Sequence, residues 1–146
     1  SSQKVKQAVN SGIDSTMSTI ELKGDILAKV SATLVQEIYL FIGIPAAGTP
    51  IDFTNSSNTT QKVIISYSDA DTLLPSVNWT MTKLSTINTD NMLDQNELFM
   101  ITVDLSGSDN ITSYDQFSLE LRPPDGPVLS IERTIPGRVT QYINLH

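Results

Sequence analysis

A chain of 146 residues with a formal net charge of −7 is the size of one ordinary domain, and its few Lys and Arg are scattered, so neither nucleic acid nor an anionic membrane surface suits it as a partner. The absence of cysteine removes disulfides, zinc–thiolate centres and thiol nucleophiles together, leaving the fold to its apolar core. No run of 18 apolar residues is present to cross a bilayer, and no signal-peptide pattern opens the chain.

In chain order, Val5, Val9, Ile13 and Met17 recur at every fourth position with Ala8 and Gly12 beside them, which predicts a helix carrying one narrow apolar stripe. A helix lying flat on a sheet presents a broader apolar face, so the narrow stripe favours a seam against other helices over packing across a sheet. Ser1-Ser2-Gln3 leads straight into this helix with no initiator Met, the pattern expected of a processed or trimmed chain entered partway along a helix. From Ile20 the period becomes two. Ile20, Leu22, Ile26, Ala28 and Val30 share one face and Glu21, Lys23, Asp25 and Lys29 fall near the other, predicting a half-buried strand over about 19–31 with Gly24 as a bulge or close backbone approach.

Further strands are predicted at about 35–44, 61–68, 77–84, 97–105, 116–122 and 128–134, with a last one at 138–145. Ile38, Leu40, Ile42 and Ile44 alternate with Tyr39, Phe41 and Gly43, and Leu98, Met100 and Thr102 with Phe99, Ile101, Val103 and Leu105. Both patterns suggest central strands buried on two faces. Phe117, Leu119 and Leu121 alternate with Ser118, Glu120 and Arg122 before the turn Pro123-Pro124-Asp125-Gly126, which returns the chain through Val128 to Ile131 as a hairpin. Long polar loops span Thr49 to Gln61, Asp69 to Ser76, Ser85 to Glu97 and Ser106 to Asp115. The expected fold is mainly β, an antiparallel sandwich of immunoglobulin-like type with seven or eight strands behind a short N-terminal helix.

Chemistry is sparse. The only histidine is His146, the last residue, and no nucleophile elbow, phosphate loop or histidine-rich metal spacing occurs, so no catalytic residue and no cofactor is assigned. Asp69 with Asp71, or Asp90 with Asp94 and Glu97, could gather oxygen ligands around calcium. Neither set has the glycine and distal glutamate of an EF-hand loop, so they read as solvated turn residues and no metal site is assigned. Four sequons, at Asn55, Asn58, Asn78 and Asn110, exceed the two or so that this composition would produce by chance. Asn55, Asn58 and Asn110 fall in predicted loops, whereas Asn78 falls near a strand start and is the least secure for a bulky glycan. Trp79 with Tyr67 or Tyr114 is the one aromatic platform that would suit a sugar-binding module.

Ser2-Gln3-Lys4-Val5 running into a helix, followed by the segment Ser18 to Ile26, resembles the region just after the hydrophobic N-terminal helix of archaellins, the archaeal flagellins. Asn91 to Leu105, Phe117 to Leu121, the Pro123 to Pro127 turn and the closing Thr134 to Leu145 are similar to the later strands of that family. The resemblance spans essentially the whole chain, with its specific parts at the two ends. It implies a structural subunit of the archaellum, the rotary swimming filament of archaea, displayed outside the cell. Residues 1–18 would be the end of the filament-core helix, presenting Val5, Ala8, Val9, Gly12, Ile13 and Met17, and 19–146 an outer β-sandwich, commonly N-glycosylated, that forms the filament shell and the lateral subunit contacts. The implied partners are further copies or related archaellins. Membrane contact would arise only through the N-terminal hydrophobic helix, before assembly. Two alternatives are an archaellum accessory or stator protein that binds the surface layer, and a secreted carbohydrate-binding or adhesion sandwich.

Overall fold

The computed structural model describes residues 19–31, 34–54, 62–85, 90–107, 116–136 and 142–146. The predicted helix at the N-terminus lies outside these residues. Those described fold as strands and connections: β1 (Glu21–Leu22), β2 (Leu27–Ser31), β3 (Leu34–Gly43), β4 (Ile51–Asp52), β5 (Ile64–Ser68), β6 (Leu73–Leu74), β7 (Asn78–Ser85), β8 (Met92–Leu93), β9 (Leu98–Asp104), β10 (Gln116–Arg122), β11 (Leu129–Thr134) and β12 (Tyr142–Asn144).

All pairings are antiparallel. A larger sheet runs β12-β2-β3-β9-β7, with β1 also paired to β3. A smaller one runs β11-β10-β5-β6, and β4 with β8 forms a two-stranded ribbon. The strand expected over 19–31 is two strands, because Gly24 turns the backbone to φ 82°, a region that favours glycine. Nothing lies against that glycine, so it serves as a break and not as a close approach. Leu22 pairs with Ile42 and Leu27 with Tyr39, so four residues on one side face two on the other. That even offset preserves the alternation, and Ile20, Ile26, Ala28 and Val30 all point into the core.

The inward faces of both large sheets and of the ribbon fill one apolar cluster. At its centre the Trp79 indole donates to the Val63 carbonyl at 3.2 Å, which ties β7 of the larger sheet to the chain entering β5 of the smaller. The Phe53 ring meets Trp79 and Phe99 edge-on, each at 5.9 Å between centroids, and Tyr67 stacks on Phe117 at 5.8 Å. The predicted hairpin forms as β10 and β11, with Leu121 opposite Leu129.

Two expectations need correction. β3 and β9 are central, yet only one face of each is fully buried. Ile38, Leu40, Ile42, Phe99, Ile101 and Val103 are in the core, while Tyr39, Phe41, Leu98, Met100 and Thr102 on the opposite face are half-buried. Three of the polar loops also carry strands. The two-residue β4, β6 and β8 are too short to leave a period in the sequence.

Candidate functional site

The six apolar positions of the predicted core helix, Val5 to Met17, and the sequons at Asn55, Asn58 and Asn110 lie outside the described residues. Asn78 lies within them. It is the first residue of β7, an edge strand of the larger sheet, and it is exposed, as is Thr80, which completes its sequon.

The outward surface around it can be built row by row from the register. Tyr142 stands beside Lys29, Lys29 beside Glu37, Glu37 beside Asp104 and Asp104 beside Asn78, one row that crosses β12, β2, β3, β9 and β7. This row is polar and charged. The Lys29 ammonium is 3.9 Å from Glu37, whose Oε1 also accepts a 2.7 Å hydrogen bond from the Tyr39 hydroxyl. Burial, then the bonded and charged Glu37, push the Tyr39 phenol well above its ordinary value. Lys29, Glu37 and Asp104 with Ser31, Gln36 and Ser106 line a shallow hollow of about 390 Å³.

The next two rows are uncharged within β2, β3, β9 and β7, and the second is flanked by Lys23, whose amide donates to the Phe41 carbonyl and whose ammonium pairs with Glu21 at 3.0 Å. Leu27, Tyr39, Thr102 and Thr80 form one, and Phe41, Met100 and Thr82 the other. None of Leu27, Phe41, Leu98 or Met100 belongs to the core or packs against it. The outward face of the smaller sheet differs, with rows Ser66–Glu120–Ser130 and Ser68–Ser118–Glu132. The outer face of the larger sheet thus mixes Leu27, Tyr39, Phe41 and Met100 with three threonines, while that of the smaller sheet carries serines, Glu120 and Glu132 with the exposed Leu73 beside Ser68.

The other sequence candidates take structural roles. Trp79 is 2% exposed and Tyr67 fully buried, so neither can offer a ring to a sugar, and Tyr114 lies outside the described residues. The Asp69 carboxylate closes its turn by accepting from the amides of Asp71 and Thr72 and from the Tyr67 hydroxyl. Burial acts to raise its pKa, but these donors outweigh it and the net shift is downward. Asp52 is lowered by the Thr54 hydroxyl and amide, and further by Lys62. In the Asp90/Asp94/Glu97 set, the buried Glu97 carboxylate accepts from the Asp94 amide at 2.7 Å, and the Lys83 ammonium stands 3.9 Å from both Asp90 and Glu97. That ammonium also lies 5.6 Å over the Phe99 ring, so a side-chain cation already serves these carboxylates. Among the described residues no three His, Cys, Asp or Glu side chains gather as metal ligands. The terminal His146 is held at the sheet margin, its carbonyl accepting from Arg133 and its amide donating to Asn144.

The outer band is the feature that reading the strands one at a time missed. Its signal was the apolar alternation on the second face of β3 and β9, which the sequence presented as a second core.

Comparison with known proteins bears on the whole chain. A probable flagellin 1 of Archaeoglobus fulgidus is 30% identical over 159 residues, covering 98% of this chain and 78% of that protein. A probable flagellin 1 of Aeropyrum pernix is 23% identical, covering 92% and 76%. In fold, the chain is similar to the subunit in the archaeal flagellum of Methanospirillum hungatei, with a TM-score of 0.68, 16% identity and 99% of this chain covered against 81% of that one. It is also similar to a crystallised archaeal flagellin of Methanocaldococcus jannaschii, with a TM-score of 0.67, 11% identity and coverage of 89% and 96%. The profile of archaeal-type flagellins matches residues 1–133, both the striped N-terminal segment and the strands through β11, and the chain therefore belongs to the archaeal-type flagellin family.

Proposed function

We propose that this chain is a structural subunit of the archaellum. The observation that carries the proposal is the continuous family match over residues 1–133, which joins the N-terminal stripe to the β-domain in one subunit. In this reading 1–18 continue the filament-core helix and 19–146 form the outer shell. A subunit that meets its neighbours through non-identical faces, without closure, builds an open helical array. Burying an apolar helix stripe from water stabilises such an array by about 25 cal/mol per Å² of apolar surface.

The test is the double substitution Val9→Asp and Ile13→Asp in the full-length protein. It is expected to abolish filaments seen by electron microscopy while the β-domain keeps its circular dichroism spectrum. Normal filaments from the double variant would contradict the assignment of 1–18 to the core seam.

The filament reading places the β-domain outside the cell, where the sequons are available for modification. At Asn78, both the Asn and the Thr80 of its sequon are exposed on an edge strand, which leaves this position open to modification. Intact-mass measurement of native subunits should show a glycan that Asn78→Gln removes. An unchanged mass would contradict modification at this position.

A further inference from the structure

We infer that the hollow bounded by Lys29, Ser31, Gln36, Glu37, Asp104 and Ser106 binds a neutral saccharide, with Tyr142, the cross-strand neighbour of Lys29, as its stacking face. Such a site goes beyond the filament-subunit reading and does not depend on it.

A break in strand register builds the hollow. Lys29 of β2 pairs with Glu37 of β3, but the next pair is Val30 with Val35, so Gln36 is an extra residue and forms a β-bulge. Successive side chains of a regular strand point to opposite faces, yet Gln36 and Glu37 both line the one hollow and both are half-buried. The chemistry of the lining then selects the ligand. An amide, two hydroxyls, an ammonium and two carboxylates supply donors and acceptors together, which suits hydroxyl groups that both donate and accept. Among the described residues, Glu37 Oε1 accepts from the Tyr39 hydroxyl and Asp104 Oδ1 from the Ser106 amide and hydroxyl, which leaves the second oxygen of each carboxylate to accept from a ligand. One ammonium against two carboxylates disfavours an anion. The same ammonium, 3.9 Å from Glu37, disfavours a metal ion, and no third carboxylate or imidazole among the described residues joins the pair. Tyr142 is 53% exposed, and its ring stands 6.3 Å from that of Tyr39 with the planes 38° apart, so an aromatic face is open to the C–H face of a sugar ring. Asp104 also lines a smaller hollow, of about 190 Å³, at Asn78. A sugar chain on Asn78 would therefore start about 10 Å from Glu37, two interstrand spacings away. A saccharide from outside the molecule would offer the same groups.

The test applies the full-length chain, made without a glycosylation pathway, to an array of immobilised oligosaccharides. Glucose, galactose, mannose and N-acetylhexosamine oligomers form the neutral set, and uronic-acid and sulfated oligomers the anionic set. Retention on neutral members alone is expected. Gln36→Ala and Tyr142→Ala should each weaken it at least tenfold, Tyr142→Phe should retain it because the ring face is kept, and Ser130→Ala on the outer face of the smaller sheet should leave it unchanged. Gln36 accepts from the Leu105 amide through its backbone carbonyl, so Gln36→Ala keeps that bond and the fold, which circular dichroism checks for every variant. Failure of the unsubstituted chain to bind any neutral oligomer would overturn the inference. So would a preference for the anionic set, or retention that survives both Gln36→Ala and Tyr142→Ala. Chain isolated from the source cells is then compared with its Asn78→Gln variant. Weaker array binding by the unsubstituted chain supports the site with its own Asn78 glycan as occupant, and equal binding by the two supports it with an external saccharide.

Discussion

Trp79 is where the two sheets depend on a single side chain. Its ring fills the space between Phe53 and the strands, and its N–H satisfies the Val63 carbonyl at the entry to β5. Trp79→Ala should therefore cost about 3–5 kcal/mol in a denaturant titration, the range for emptying an aromatic core site. Trp79→Phe keeps most of the apolar volume but leaves the Val63 carbonyl unpaired, an expected loss of about 1–3 kcal/mol. The turn carboxylates give the residue scale its pH dependence. Asp52 and Asp69 have folded-state pKa values below their ordinary ones, so each contributes stability that is fully present above the unfolded carboxylate value of about 3.9 and is lost as pH falls through the lower folded value. The urea midpoint should stay level from neutrality down to about pH 5 and decline below about pH 4, with Asp69→Asn making that decline shallower. A midpoint that rises as pH drops below 4 would contradict this assignment of the two turns.

Among the elements, the β1–β2 break isolates a backbone effect. Gly24 holds φ 82° with open space around it, so Gly24→Ala meets no neighbour and loses only the conformational preference, an expected destabilisation of about 1–2 kcal/mol by thermal or chemical unfolding. A neutral result would mean that the segment relaxes into one continuous strand. That break also shows what sequence patterning can convey. The parity of Ile20, Leu22, Ile26, Ala28 and Val30 was readable because a two-residue offset leaves alternation intact, but the interruption was not, because a period carries no record of φ. The hairpin of β10 and β11 was readable from Pro123 to Gly126, where turn chemistry is local. β4, β6 and β8 were not, since two residues cannot define a period and their pairing is set by tertiary contacts. The same limit explains β3 and β9. Alternation reveals which residues are apolar on each face, but not whether the second face is covered within the chain or by a neighbour. For the candidate sites, the sequence ranked Asn78 last because it expected a strand start there. The structure agrees on the strand, and an outward-facing edge position is compatible with exposure.

At the scale of the whole molecule, the chain carries an N-terminal apolar stripe in its sequence and, behind it, a sandwich whose sheets share one core. A subunit in an open helical array meets its neighbours through non-identical surfaces, and the outer faces of the two sheets differ in their residues. The central claim is that the chain is a component of the filament itself and does not bind the surface layer as an accessory protein. The most direct measurement is mass spectrometry of surface filaments sheared from the source cells and purified by density, with the remaining envelope analysed in parallel. The account predicts peptides spanning β2 to β11 in the filament fraction at the level of a structural subunit. Recovery of those peptides from the envelope alone, with filaments built from other chains, would contradict it.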